Sequence, residues 1–160
     1  MTSIAEPADR LAIADAIARL AATQDARDWA GLRGVLADHV RLDLSAHLGT
    51  SPVELSAEAF VEKARAVANT FTSTHHMTAN LVIELSVDQA ACRCHVVAYH
   101  HFAQAPEPCE AACIMRGTWD VRLHRVGEAW LIAELTVART VPLEGNADFY
   151  PRTATSALRG

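Results

Sequence analysis

The sequence predicts an α+β fold: helices first, then a long, strongly curved antiparallel sheet that they close into a cone with an interior. Three observations carry this. Apolar residues recur at helical spacing only as far as Phe71. Beyond that they alternate with polar residues over four segments, and short turns separate consecutive segments, as in a meander. The 160-residue length suits one domain, read as 1–160 with 141–160 as a C-terminal tail or lid.

The elements follow in order. Pro7 and Asp9 are start signals for a helix over 8–23, with Leu11, Ile13, Ile17 and Leu20 on one side. Asp25 and Asp28 break that pattern, and a second short helix carries Trp29, Leu32 and Leu36. Val40, Leu42 and Leu44 alternate with Arg41, Asp43 and Ser45, the pattern of a strand. Gly49 and Pro52 make His47 to Leu55 a loop. Ser56 is placed to cap a third helix, on which Phe60, Ala64, Val67 and Phe71 recur. Strands are then predicted over 79–87, 90–104, 111–124 and 129–139, with turns at Asp88-Gln89, Pro106 to Pro108 and Gly127-Glu128.

Composition narrows the function classes. Fourteen basic against 19 acidic side chains give a net charge of −5, and no Lys/Arg-rich run is present. Nucleic acid and anionic membrane are therefore poor partners. No apolar run approaches the ~20 residues that span a bilayer. The opening MTSIAEPADR has acidic residues where a signal peptide needs a basic start and an apolar run. The expectation is a cytoplasmic protein. Cys92 and Cys94 are two apart, Cys109 and Cys113 four apart, with His95 nearby. A C-x-C within an extended run puts both sulfurs on one face of a strand, unlike a zinc-binding turn, so the cysteines read as small buried hydrophobes rather than metal ligands.

Alternation sorts the long strands into faces. Ala90, Cys92, Cys94, Val96, Ala98, His100 and Phe102 share one face of the second; Cys113, Met115, Gly117, Trp119, Val121 and Leu123 share one face of the third. These sets are read as lining the interior, which makes His100 the one ionisable group on an apolar face. Such an imidazole is either a satisfied core histidine or a general base kept neutral by burial. His75 and His76 fall between the third helix and the first long strand, where side chains can point into a cone mouth. Asp25 falls in the break after the first helix, placed to fix the tautomer of a histidine. His39, His47 and His124 read as solvated; His95 and His101 lie on the outward face, where an interface role is expected.

Three segments resemble SnoaL-like proteins of the nuclear transport factor 2-like superfamily. DRLAIADAIARLAATQDARDWAGLRGVLADHVRLDLS is similar to the family's opening helix, Asp, D-W pair and R-x-D strand. THHMTANLVIEL is similar to its T-x-H-x-x-x-N segment, with His76 and Asn80; RGTWDVRLHRVGEAWLIAEL is similar to its closing hairpin. The resemblance covers roughly 8–140. Its nearest branch is that of scytalone dehydratase, bile-acid 7α-dehydratase and hexachlorocyclohexane dehydrochlorinase. There an Asp after the first helix pairs with a His before the first long strand, which implies Asp25 and His76 here, with His100 as the second His of scytalone dehydratase. The departures are Gln24 and Leu44 where that enzyme has tyrosines, Gly117 and Trp119 where it has serine and asparagine, and Leu20 and Leu135 where the dehydrochlorinase has Lys and Arg.

Two hypotheses follow. The first is a dehydratase-like lyase in which His76, oriented by Asp25, removes a proton beside a carbonyl and His100, protonated or hydrogen-bonded to the leaving oxygen, assists its departure. An isomerase or cyclase would use the same residues. Cys94, Ala98, Met115, Trp119 and Leu135 are expected to line the site, with Asn80 also on the substrate, so the substrate is a small apolar, aromatic, polyketide-like or steroid-like molecule. The second is a non-catalytic small-molecule binding or assembly module, since fold does not settle function. The outward face with Val97, Tyr99, His101, Thr118 and Arg122 suggests a homo-oligomer, a dimer or a trimer. The tail, with Phe149, Tyr150 and Pro151, would close the cone mouth or pack on a neighbouring subunit. No Gly-rich phosphate loop or metal set is recognisable, so no cofactor is expected.

Overall fold

Ile13, Ala16, Ile17, Leu20 and Ala21 recur at i, i+3, i+4, i+7 and i+8, and all five are buried. That stripe is why α1 (Ala5–Ala26) forms and which side it turns to the sheet. Leu11, expected on the same side, falls off the stripe and is 72% exposed. In this computed structural model, which describes residues 5–102 and 112–146, the helix outruns the predicted 8–23 and includes Asp25 in its last turn. Asp9 ties its first half to the far side of the sheet, accepting a bond from Trp130 Nε1 at 3.1 Å and pairing with Arg125 at 2.7 Å.

The segment after α1 differs from expectation in three places. Asp28 caps α2 (Trp29–Gly34), its carboxylate accepting from the Gly31 N–H at 2.9 Å. Leu36 opens β1 (Leu36–Asp43) instead of closing that helix. Leu44 leaves the strand and precedes α3 (Ser45–Leu48), a single turn ended by Gly49 at φ +73. The predicted loop from His47 to Leu55 thus holds the end of α3 and the start of β2 (Val53–Ser56), which pairs antiparallel with β1. Ser56 caps α4 (Ala57–Ala68) as expected, its hydroxyl accepting from Ala59 N–H at 3.2 Å. Phe71 lies beyond the end of α4, buried in a small cluster with Phe102 and Cys113.

The meander comprises β3 (Ser73–Leu85), β4 (Gln89–His101), β5 (Ala112–Val126) and β6 (Ala129–Arg139), joined antiparallel in that order. β3 starts at Ser73, ahead of the predicted 79. Its opening, STHHMT, has little apolar alternation to betray it, and the backbone ladder to β4 holds it instead. His75 and His76 are therefore strand residues, not loop residues. A short β7 (Glu144–Gly145) pairs with β5. The sheet order is β2-β1-β6-β5-β4-β3, with β2 and β3 at its edges, so it curls without closing.

One expectation about the sheet is corrected: it is mixed, because β1 and β6 run parallel. No turn joins these two strands, so no local geometry sets their direction. They lie together because Leu36, Val40 and Leu42 of one and Ile132 and Leu135 of the other belong to the same buried core. The predicted faces of β4 and β5 hold: Cys92, Cys94, Val96, Ala98, His100, Cys113, Met115, Trp119, Val121 and Leu123 are all buried. Cys92, Cys94 and Cys113 are free thiols, and burial pushes them up to about 11, 12 and 11 respectively.

Curvature has local causes. A register shift between Ala79 and Val82 marks a bulge in β3, with Asn80 in the left-handed region at φ +56. Before it the inward residues are even-numbered, Thr74, His76 and Thr78; after it they are odd-numbered, Leu81, Ile83 and Leu85. A second shift opposite Arg122/Leu123 does the same for β6, where Trp130 and Ile132 are buried before it and Leu135 and Val137 after it. At Gly117, a Cβ would meet the Ala138 carbonyl oxygen well inside contact distance, so β5 and β6 approach there only because no side chain intervenes. The Pro106–Pro108 turn, Cys109 and the tail with Phe149, Tyr150 and Pro151 lie outside the described residues.

Candidate active site

The site begins at the C-terminal end of α1. Arg27 takes the left-handed conformation, φ +55, and ends the helix. Its guanidinium donates to the carbonyls of Ala68 and Phe71, at 3.2 and 2.8 Å, clamping this end of α1 to the connection between α4 and β3. That clamp brings Asp25 over the start of β3. The Asp25 carboxylate accepts three hydrogen bonds there: from the Thr74 hydroxyl at 2.8 Å, the His76 backbone N–H at 2.7 Å and His76 Nδ1 at 2.7 Å.

Burial by itself would raise the Asp25 carboxyl. The His76 ring bond, the His76 backbone N–H, the attraction of the imidazole and the Thr74 hydroxyl together outweigh it, and Asp25 lies below its ordinary value. It is thus a carboxylate, which only accepts, so the hydrogen on the 2.7 Å bond sits on His76 Nδ1. In the neutral ring this bond selects the tautomer with its lone pair on Nε2, the one a general base needs. Both side chains are mostly shielded from solvent, 17% exposed for Asp25 and 13% for His76.

His76 borders a cavity of about 130 Å³ between α4, α3 and the concave face of the sheet. Near the imidazole, Trp119 and His100 stand with ring centroids at 5.8 and 5.9 Å. Leu42, Phe60, Val67, Met115, Leu135 and Val137 supply much of the apolar wall. His100 is 4% exposed. Burial first, and then the neighbouring His76, press its pKa down to about 3, against weaker raising contributions from the Cys113 backbone and Asp25. His100 is therefore a neutral imidazole at neutral pH, which leaves a hydrogen-bonding role and removes a protonated one. His47, read from sequence as solvated, is instead buried at 6% exposure and lines the cavity; burial and the charge of Arg139 bring it to about 4.

The model of the SnoaL-like domain matches residues 5–136. This chain belongs to the SnoaL-like family. Solved structures share its fold. A Kribbella flavida protein superposes with a TM-score of 0.85 at 23% identity, over 91% of this chain and 98% of its own. A candidate scytalone dehydratase from Novosphingobium aromaticivorans gives 0.74 at 14% identity, over 88% and 89%. A type 3 hexachlorocyclohexane dehydrochlorinase from Novosphingobium barchaimii gives 0.76 at 16% identity, over 90% and 94%. Among curated proteins, none matches the chain in sequence.

In this SnoaL-like chain the fold sets His76 and His100 on one cavity, with Asp25 bonded to His76 Nδ1 and Trp119, Met115 and Leu135 on the cavity wall. Asn80 is not with them. Expected beside the substrate, it occupies the bulge of β3, is exposed, and sets its amide 3.0 Å from His95 on the outer face. Cys94, also expected on the wall, is fully buried in the core beyond it. Gln24 and Leu44, the departures from the tyrosines of scytalone dehydratase, both line the cavity. Sequence reasoning missed Thr74, His47 and Lys63. Lys63 was legible by its place three residues after Phe60 on the inward stripe of α4, whereas Thr74 was hidden because the strand that carries it begins without an apolar pattern. Nothing local marks His47, which is buried by the elements around α3.

Proposed function

We propose that this SnoaL-like chain is a cofactor-independent, dehydratase-like lyase acting on a small apolar carbonyl compound. One observation carries the proposal: an imidazole with its Nδ1–H held 2.7 Å from a carboxylate and its ring on the border of an apolar cavity. His76 Nε2 takes the proton α to the substrate carbonyl, and the C–H electron pair forms the new C=C bond as the β C–O bond breaks. The departing hydroxide takes that proton back from the His76 imidazolium, leaves as water, and restores the base. Asp25 stabilises the imidazolium in between. His100 is neutral and hydrogen-bonds the leaving oxygen. A cavity of about 130 Å³ is close to the ~150 Å³ that accommodates a single benzene ring, which favours one-ring substrates over steroid-sized ones. Trp119, Met115 and Leu135 hold the ring.

The test uses 4-hydroxy-4-phenylbutan-2-one, with its enone product followed by absorbance and exchange at the α-carbon followed by NMR in D2O. Turnover or exchange is expected in the wild type, a loss of about 10²-fold or more in His76→Gln, and a smaller loss in Asp25→Asn. Exchange without water loss would make the chain an isomerase. Neither exchange nor turnover with any carbonyl compound that binds would leave a binding module. We further propose that residues 1–160 act as one domain in the cytoplasm and associate as a homo-oligomer through the outer sheet face.

A further inference from the structure

The two oxygens of Asp25 are held differently. Oδ2 accepts from the His76 backbone N–H at 2.7 Å. Oδ1 accepts twice, from the His76 ring at 2.7 Å and from the Thr74 hydroxyl at 2.8 Å. Thr74 and His76 stand two apart on β3, ahead of its bulge, so both turn to the same face and reach the same oxygen. A hydroxyl has one hydrogen and a carboxylate only accepts, so the direction of the Thr74 bond is fixed. Two of the three bonds, the Thr74 hydroxyl and the backbone N–H, do not involve the imidazole. They keep the carboxylate over β3 whatever the ring does.

A carboxylate beside an imidazole favours the imidazolium. A general base that is already protonated at the working pH cannot take a proton, and catalysis is best when the base is poised near that pH. Oδ1 shared with a second donor has less of its charge to give to the ring. We propose that Thr74 is a positioning residue, which fixes the Asp25 carboxylate and, by sharing Oδ1 with His76, limits how strongly the ring holds a proton. The use of this device rests on reading His76 as the base, but its test needs no substrate. The other titratable groups around the ring are His100 of β4, with centroids 5.9 Å apart, and His47 of α3 and Lys63 of α4 on the same cavity. Among the described residues only Asp25 bonds the ring itself. Thr74→Val keeps all of these groups and removes the hydroxyl.

The full chain, labelled with 15N in its histidine rings, is titrated by NMR, with His76→Gln to assign the signal. In Thr74→Val the His76 ring should give up its proton at a pH about half a unit or more above that of wild type. Its Nδ1–H resonance should move downfield as the bond to Oδ1 strengthens. Thr74→Ser keeps the hydroxyl and should titrate as wild type does, with the Nδ1–H signal in place. Thermal melts check that each variant is folded, and Thr74→Ala supplies the same measurement if Thr74→Val is not. A His76 midpoint that stays in place or moves to lower pH without the hydroxyl would overturn the proposal. So would an equal displacement in Thr74→Ser, which would trace the effect to the lost methyl group. The expected shifts in a protein that never exchanges an α-proton would keep the Thr74 assignment and reject the lyase.

Discussion

At the scale of single residues, burial does most of the chemistry. It makes His47 and His100 resist protonation, to about 4 and about 3, whereas an unfolded histidine titrates near ~6.5. Between these values the unfolded chain binds more protons than the native one, so stability rises with pH across that window and is lost as the pH drops through it. Each histidine should remove about 2 kcal/mol between pH 7 and pH 5. Denaturant titrations at the two pH values are expected to show the drop, and His47→Leu should shrink it by about half. An undiminished difference in that variant would mean that His47 is not the buried neutral group described here. Asp25 works in the opposite range: its carboxyl is lowered, so its contribution holds above its unfolded value near ~3.9 and is lost as the pH falls further.

Elements place these residues through breaks in their own regularity. The α1 terminus at Arg27 and the β3 bulge at Asn80 are both left-handed positions held by non-glycine residues. The first sets Asp25 over β3. The second moves the inward register from His76 and Thr78 to Leu81 and Ile83, so that polar groups face the cavity and apolar ones the core under α1. Gly117 serves the sheet differently, letting Ala138 of β6 come close to β5 just before Trp119. Gly117→Ala should force the backbones apart and cost roughly 1–3 kcal/mol, read as a lowered midpoint in thermal melts. A variant as stable as wild type would show that β6 yields freely at this point.

Among the described residues, the helices cover one face of the sheet and none lies over the other. His75, Met77 and Tyr99 crowd the outer face near the β3 edge, with Met77 46% and Tyr99 36% exposed and the His75 and Tyr99 rings 6.4 Å apart between centroids. Pairing of such a face between copies would bury it. Wild-type protein is expected to run as a dimer or trimer by light scattering, and Met77→Glu to shift it toward monomer without loss of secondary structure. A monomeric wild type would remove the oligomer from the account.

The sequence by itself determined the three main helices ahead of the long strands, the meander and the inward faces of β4 and β5, and it singled out Asp25, His76 and His100, which the fold brings close together. These rest on periodicity, which a chain carries locally, and on motif order, which the SnoaL-like resemblance reads. What it did not carry was set by contacts distant in the chain. The parallel pairing of β1 with β6 has no turn to announce it, and the strand start at Ser73 is a ladder formed with β4 rather than an apolar pattern. Asn80 was misplaced because one bulged residue reverses every side chain near it. His47 was misread because the elements that bury α3 are far away in sequence. Only the folded chain decided which histidines are dry, because desolvation is a property of neighbours in space.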